Sequence, residues 1–121
     1  MEEIHLALGK LPDVVVFRNH VGAGRVERDD GSAQFQTWGL HPGSSDLVCI
    51  VAPYGRWLCI EVKSPTGRET AQQHAFRSLM ARFGSVCGIA RSVSDALALV
   101  GRARQPMVAP GRTAAEWLAG T

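Results

Sequence analysis

The stretch Gly43–Lys63, GSSDLVCIVAPYGRWLCIEVK, constrains the fold more than any other part of the chain. Two apolar, β-branched runs flank the turn residues of APYG, which reads as an antiparallel hairpin. Side chains alternate along a strand, so Leu58, Ile60 and Val62 share one face, the natural core face. Glu61 and Lys63 share the other. With a four-residue loop, Ala52–Gly55, Val51 faces Arg56 and Asp46 falls opposite Glu61. A three-residue loop would put Asp46 opposite Val62 instead. In the first register two carboxylates and an ammonium crowd the open end of a buried hairpin, because directly opposed Cβ atoms lie only about 5 Å apart.

The surrounding sequence supplies the other layers. Residues 2–10 predict a short helix ending near Gly9, and Asp13–Phe17 a strand. A long Gly-rich connection, 18–45, follows, with a small hairpin turning at Asp30-Gly31 as one reading of it. Thr70 is the expected N-cap of a helix running to Phe83 and closed by Gly84. Its apolar stripe is Ala75, Leu79 and Phe83, with Phe76 and Met80 beside them. A strand at 86–90 and a helix at 92–103, capped by Ser92 or Ser94, complete residues 1–103. The tail, 104–121, carries Pro106, Pro110 and a short helical pattern. The expected architecture is a mixed α/β sandwich around a central sheet of about four strands.

A chain of 121 residues, 45% hydrophobic and 20% charged, suits one soluble globular domain. No apolar run reaches the length of a membrane span, and the acidic start MEEIHLALGK does not resemble a signal peptide. The expected location is cytoplasmic. Cys49, Cys59 and Cys87 each sit in an apolar stretch without a C-x-x-C pair, as small buried hydrophobes do. The net charge of +2 does not by itself prove a nucleic-acid partner. From Arg68 onward, however, seven arginines stand against three acidic residues, so a local basic surface is available.

Two carboxylates at one point repel unless a cation lies between them. A hard divalent ion with oxygen ligands fits, Mg²⁺ or Mn²⁺ in its place. Asp46 and Glu61 would ligate it, and the Val62 carbonyl, at the same level, could add an oxygen. Lys63 could contact a phosphate oxygen or orient an attacking water. That combination is a site for metal-assisted phosphodiester hydrolysis. The simpler alternative is a surface salt bridge of Lys63 with Asp46 or Glu61, since E-V-K alone is a weak signal.

The ordered set GSSD, IEVK and GRETAQQHAF resembles the PD-(D/E)XK nuclease superfamily, most closely its small VRR-NUC (virus-type replication-repair nuclease) family. FRNHVGAGR, 17–25, is similar to that family's Arg-Asn-x-x-Gly stretch, and the resemblance spans roughly residues 2–100 in order. It implies a restriction-endonuclease-like core over 1–103. It also implies a metal-dependent DNA endonuclease, with Asp46 and Glu61 as metal ligands and Lys63 as the catalytic lysine. Gln73 would be the helix glutamine, with Gln72 as the neighbouring choice. Glu2 or Glu3 would match the first-helix glutamate near the metal, although acidic residues also favour any helix N-terminus. Candidate DNA contacts are Arg18, Asn19, Arg25, Ser45 and Arg68. The implied substrate is branched, Holliday-junction-like DNA in phage or bacterial replication and repair, and the implied assembly a homodimer. The rival expectation is a catalytically inactive nucleic-acid-binding module with the same fold. His20, His41 and His74 show no metal-ligand spacing, and the GAG at 22–24 is not a P-loop. Trp38 reads as a packing residue or as one that stacks a base.

Overall fold

The computed structural model describes residues 1–106. Its elements are α1 (Glu2–Gly9), β1 (Val14–Arg18), β2 (Gly22–Glu27), β3 (Ala33–Trp38), β4 (Leu47–Val51), β5 (Arg56–Val62), α2 (Ala71–Arg82), β6 (Val86–Ala90) and α3 (Val93–Ala103). The fold is α/β. A mixed four-stranded sheet runs in the order β1-β4-β5-β6, and β2 and β3 form a two-stranded sheet of their own. β1, β4 and β5 pair antiparallel, whereas β6 runs parallel to β5. A parallel neighbour demands a crossover, and α2 is that crossover. No helix among the described residues is long and apolar enough to cross a membrane. The tail helix expected after residue 106 lies outside the described residues.

One sheet face is closed by α1 and α3. Leu58 and Ile60 point into this layer with Leu47, Cys49 and Val51, against Ile4 and Leu8 of α1 and Ala96, Leu99, Val100 and Ala103 of α3. Leu8, Leu47, Leu58 and Ile60 are fully buried, each contributing roughly 2 kcal/mol by removal from water. The three cysteines are buried and free. Ser92, not Ser94, caps α3, its hydroxyl accepting from the Asp95 N–H.

The opposite face is only half covered. Val48 and Cys59 are buried there, yet Val15, Phe17, Ile50 and Trp57 remain exposed. Val15, Ile50 and Trp57 form one row across three strands by register. The α2 stripe departs from expectation in the same region: no residue of α2 is buried, and Leu79 and Phe83 are 42% and 71% exposed. The physical reason is position. α2 packs over β6 at the sheet's edge, and among the described residues no helix makes comparable contact with the β1–β4 half of that face. The hairpin in the long connection is also longer than expected, pairing six residues from each strand.

Candidate active site at the open end of the hairpin

The β4–β5 turn has the four-residue register: Val51 pairs with Arg56 and Leu47 with Ile60. One step further places Asp46 at the level of Glu61. Asp46 is fixed from two sides. Its Oδ2 accepts the Val62 N–H at 2.8 Å, and its own carbonyl accepts the Asn19 N–H at 2.8 Å. Beyond Val62, the Lys63 N–H donates to the Ala90 carbonyl at 3.0 Å, which anchors the strand end carrying the lysine.

Glu61 is only 4% exposed. Its Oε1 accepts from Gln73 Nε2 at 2.9 Å and lies 3.8 Å from Lys63 Nζ. Burial, then the neighbouring Asp46 carboxyl, push its pKa up to about 8, with Lys63 acting in the opposite sense. Glu61 therefore holds charge reluctantly when no cation is near. Two crowded carboxylates suit a hard divalent ion, and Mg²⁺ characteristically takes one or two carboxylates while keeping water or phosphate oxygens as its other ligands. Among the described residues no group of three or more His, Cys, Asp or Glu side chains gathers to hold a metal.

Gln73 has two jobs. Thr70 Oγ1 accepts the Gln73 N–H at 3.1 Å, and Gln73 Oε1 accepts the Thr70 N–H at 2.9 Å, a reciprocal capping box. With its oxygen so occupied, the amide must turn its NH₂ toward Glu61. A glutamate serves as well as a glutamine in a capping box, so Gln73→Glu separates the roles. We expect Gln73→Glu to keep the cap and helicity of α2, measured by circular dichroism, while it impairs the site by facing Glu61 with a third carboxylate. Gln73→Ala should impair both.

The loop before Asp46 is tightly built. Ser44 and Ser45 are buried. Asn19 Nδ2 donates to Ser44 Oγ and to the Ser45 carbonyl, both at 2.8 Å, and Asn19 Oδ1 accepts the Leu40 N–H at 3.2 Å. The Asn19 side chain thus holds the loop that presents Asp46. Gly43 adopts φ +85°, and a Cβ there would stand 2.7 Å from the Gln72 backbone. Gly43→Ala should therefore destabilise the protein by about 2 kcal/mol and shift Asp46 relative to α2, detectable by thermal melting.

Arg18 Nη2 pairs with Glu2 Oε2 at 2.7 Å, so Glu2 is engaged there, and Glu3 is exposed on α1. Arg25 is exposed on β2, and Arg68 is exposed on the loop leading from Lys63 to α2. Gln72 lies beside Gly43, whereas Gln73 touches Glu61. Sequence reasoning missed Arg91. Its Nη1 donates to the carbonyls of Ser64 and Gly67 at 2.6 and 2.7 Å, clamping the loop that follows Lys63. It also missed Glu69, held by Arg77 Nε and Nη2 at 2.8 and 3.0 Å. Neither contact leaves a local spacing signal.

No family model and no curated protein matches the chain.

Proposed function

We propose that the protein is a metal-dependent DNA endonuclease built on a PD-(D/E)XK-type core of the VRR-NUC kind. The observation carrying this reading is the buried Glu61 carboxylate, set beside Asp46 and approached at Oε1 by both Lys63 and Gln73. The antiparallel hairpin, the crossover helix and the parallel fourth strand agree with such a core.

Asp46, Glu61 and the Val62 carbonyl would hold Mg²⁺, or Mn²⁺ in its place. When bound, the ion would polarise the phosphoryl group and lower the pKa of a water. The chain's own groups do the rest. Gln73 fixes the rotamer of Glu61. Lys63, tethered at the end of β5, stabilises charge on the phosphate oxygens and orients the nucleophilic water. Exposed Arg68 and Arg25 are available to phosphates.

Branched DNA is the proposed substrate. A homodimer would give two sites for two symmetric cuts. The uncovered row Val15, Ile50 and Trp57 is an apolar face for a second copy to bury. The test is cleavage of end-labelled four-way junction, flap, duplex and single-stranded DNA in Mg²⁺. Preferred cutting of the branched forms is expected. Metal-independent binding with no cutting of any form would favour the inactive binding module instead.

A further inference from the structure

The β2–β3 ribbon forms its own sheet, and every residue of β3 is exposed. On one of its faces the cross-strand pairs are Gly22 with Trp38 and Gly24 with Gln36. The Trp38 indole lies across both glycines. A Cβ on Gly22 would stand 2.6 Å from the indole Nε1, and one on Gly24 would stand 3.1 Å from Cη2. Glycine in a strand weakens it and commonly marks a close approach. Here two glycines alternate on the one face that meets the tryptophan, and the ring rests on bare backbone. Trp38 nevertheless remains 48% exposed, so its outer side is open.

Charge and connection point the same way. The segments 18–26 and 31–45 contain no acidic residue but do contain Arg18, His20, Arg25 and His41; the acidic residues Glu27, Asp29 and Asp30 lie at the ribbon's tip. The root of the ribbon is tied to the carboxylate site, because Asn19 accepts the Leu40 N–H while its own N–H donates to the Asp46 carbonyl. Beside Trp38 a hollow of about 370 Å³ is bordered by Val21, Leu40, His41 and Pro42. His41 and Pro42 also border a second hollow of about 350 Å³ that reaches Gln72 and Phe76 on α2. An apolar floor thus runs from the indole to the residue adjoining Gln73.

We infer that Trp38 is a stacking platform for an unpaired nucleobase, steering a single-stranded segment of DNA toward the Asp46–Glu61 site. This rests on the nuclease reading and narrows it to substrates with an unpaired segment. Every base offers a π-face, so the contact is tolerant of sequence, and one base on one aromatic ring is worth roughly 1–3 kcal/mol.

The test uses the full chain carrying Trp57→Phe and Trp117→Phe, which leaves Trp38 as the sole indole of the three. A labelled oligothymidylate is titrated in chelator, following label anisotropy and Trp38 emission together. Emission should be quenched in step with anisotropy. In the natural background, Trp38→Ala should weaken oligothymidylate binding by about 5- to 100-fold, with fully paired duplex affected less than about twofold. Gly22→Ala, which keeps the indole but displaces it, should weaken the same binding. Binding with unchanged Trp38 emission would overturn the platform. So would cutting of branched DNA by a protein that binds no oligothymidylate, and in both cases the nuclease reading stands. Failure to bind or cut any DNA would remove both.

Discussion

Lys63→Ala should lower the single-turnover rate of DNA cleavage by about 10²- to 10³-fold while changing DNA affinity less than about threefold. The reason is geometric. Lys63 directly follows β5, its N–H donates to the Ala90 carbonyl, and its ammonium lies 3.8 Å from Glu61 Oε1. The side chain is only 17% exposed, so the variant's stability in urea is to be measured beside its rate. On the proposed reading, what disappears is a positive charge placed where a phosphate oxygen gains negative charge. Lys63→Arg should not restore the rate, because a planar guanidinium on a longer stem cannot occupy the same point. A rate loss accompanied by an equal loss of affinity would instead assign Lys63 to ground-state binding.

The second large effect is on stability. Glu61 has its folded pKa raised from 4.5 to about 8 by burial and by Asp46. Below about pH 4.5 the carboxyl is protonated in both states and the native protein keeps its full stability from this group. Between about pH 4.5 and 8 the unfolded chain ionises first, so stability falls, by at most about 4 kcal/mol at pH 8. Glu2, Asp13 and Glu69 are shifted the other way by Arg18, by Arg104 and by Arg77 with His74, so their contributions are lost only on further acidification. The decline toward neutral pH therefore belongs to Glu61. Urea unfolding in chelator across this range should show it, and Glu61→Gln should flatten it. Mg²⁺ should restore stability at the alkaline end, by about 2.7 kcal/mol at a hundred times its Kd.

The elements with strong local signals were legible in the sequence. Thr70 and Ser92 announce the starts of α2 and α3 by cap chemistry, and the hairpin's parity and turn place Asp46 opposite Glu61. Gln73 was legible as a candidate, and its capping role follows from T-x-x-Q, but the resulting orientation of its amide toward Glu61 needed the structure. Other features depend on distant partners. Asn19 looked like a phosphate contact, whereas its amide is used on Ser44 and Ser45, some 25 residues away. Glu2 and Glu3 were equal candidates for a first-helix glutamate, and the pairing of Glu2 with Arg18 needed the structure. Arg91 carried no signal because its acceptors are main-chain carbonyls, which sequence does not distinguish. The α2 stripe has helical spacing, but spacing does not say whether a neighbouring element lies over it. Leu79 and Phe83 stay exposed because α2 lies over β6 at the edge of the sheet.

The most direct test of the central claim compares the wild type with Asp46→Asn on one labelled branched DNA, with Mg²⁺ and with chelator. Asp46→Asn keeps an oxygen to accept the Val62 N–H but removes the negative charge. Cutting is expected from the wild type only with Mg²⁺, and none from folded Asp46→Asn. Equal cutting by both proteins, or cutting by the wild type in chelator, would contradict that claim.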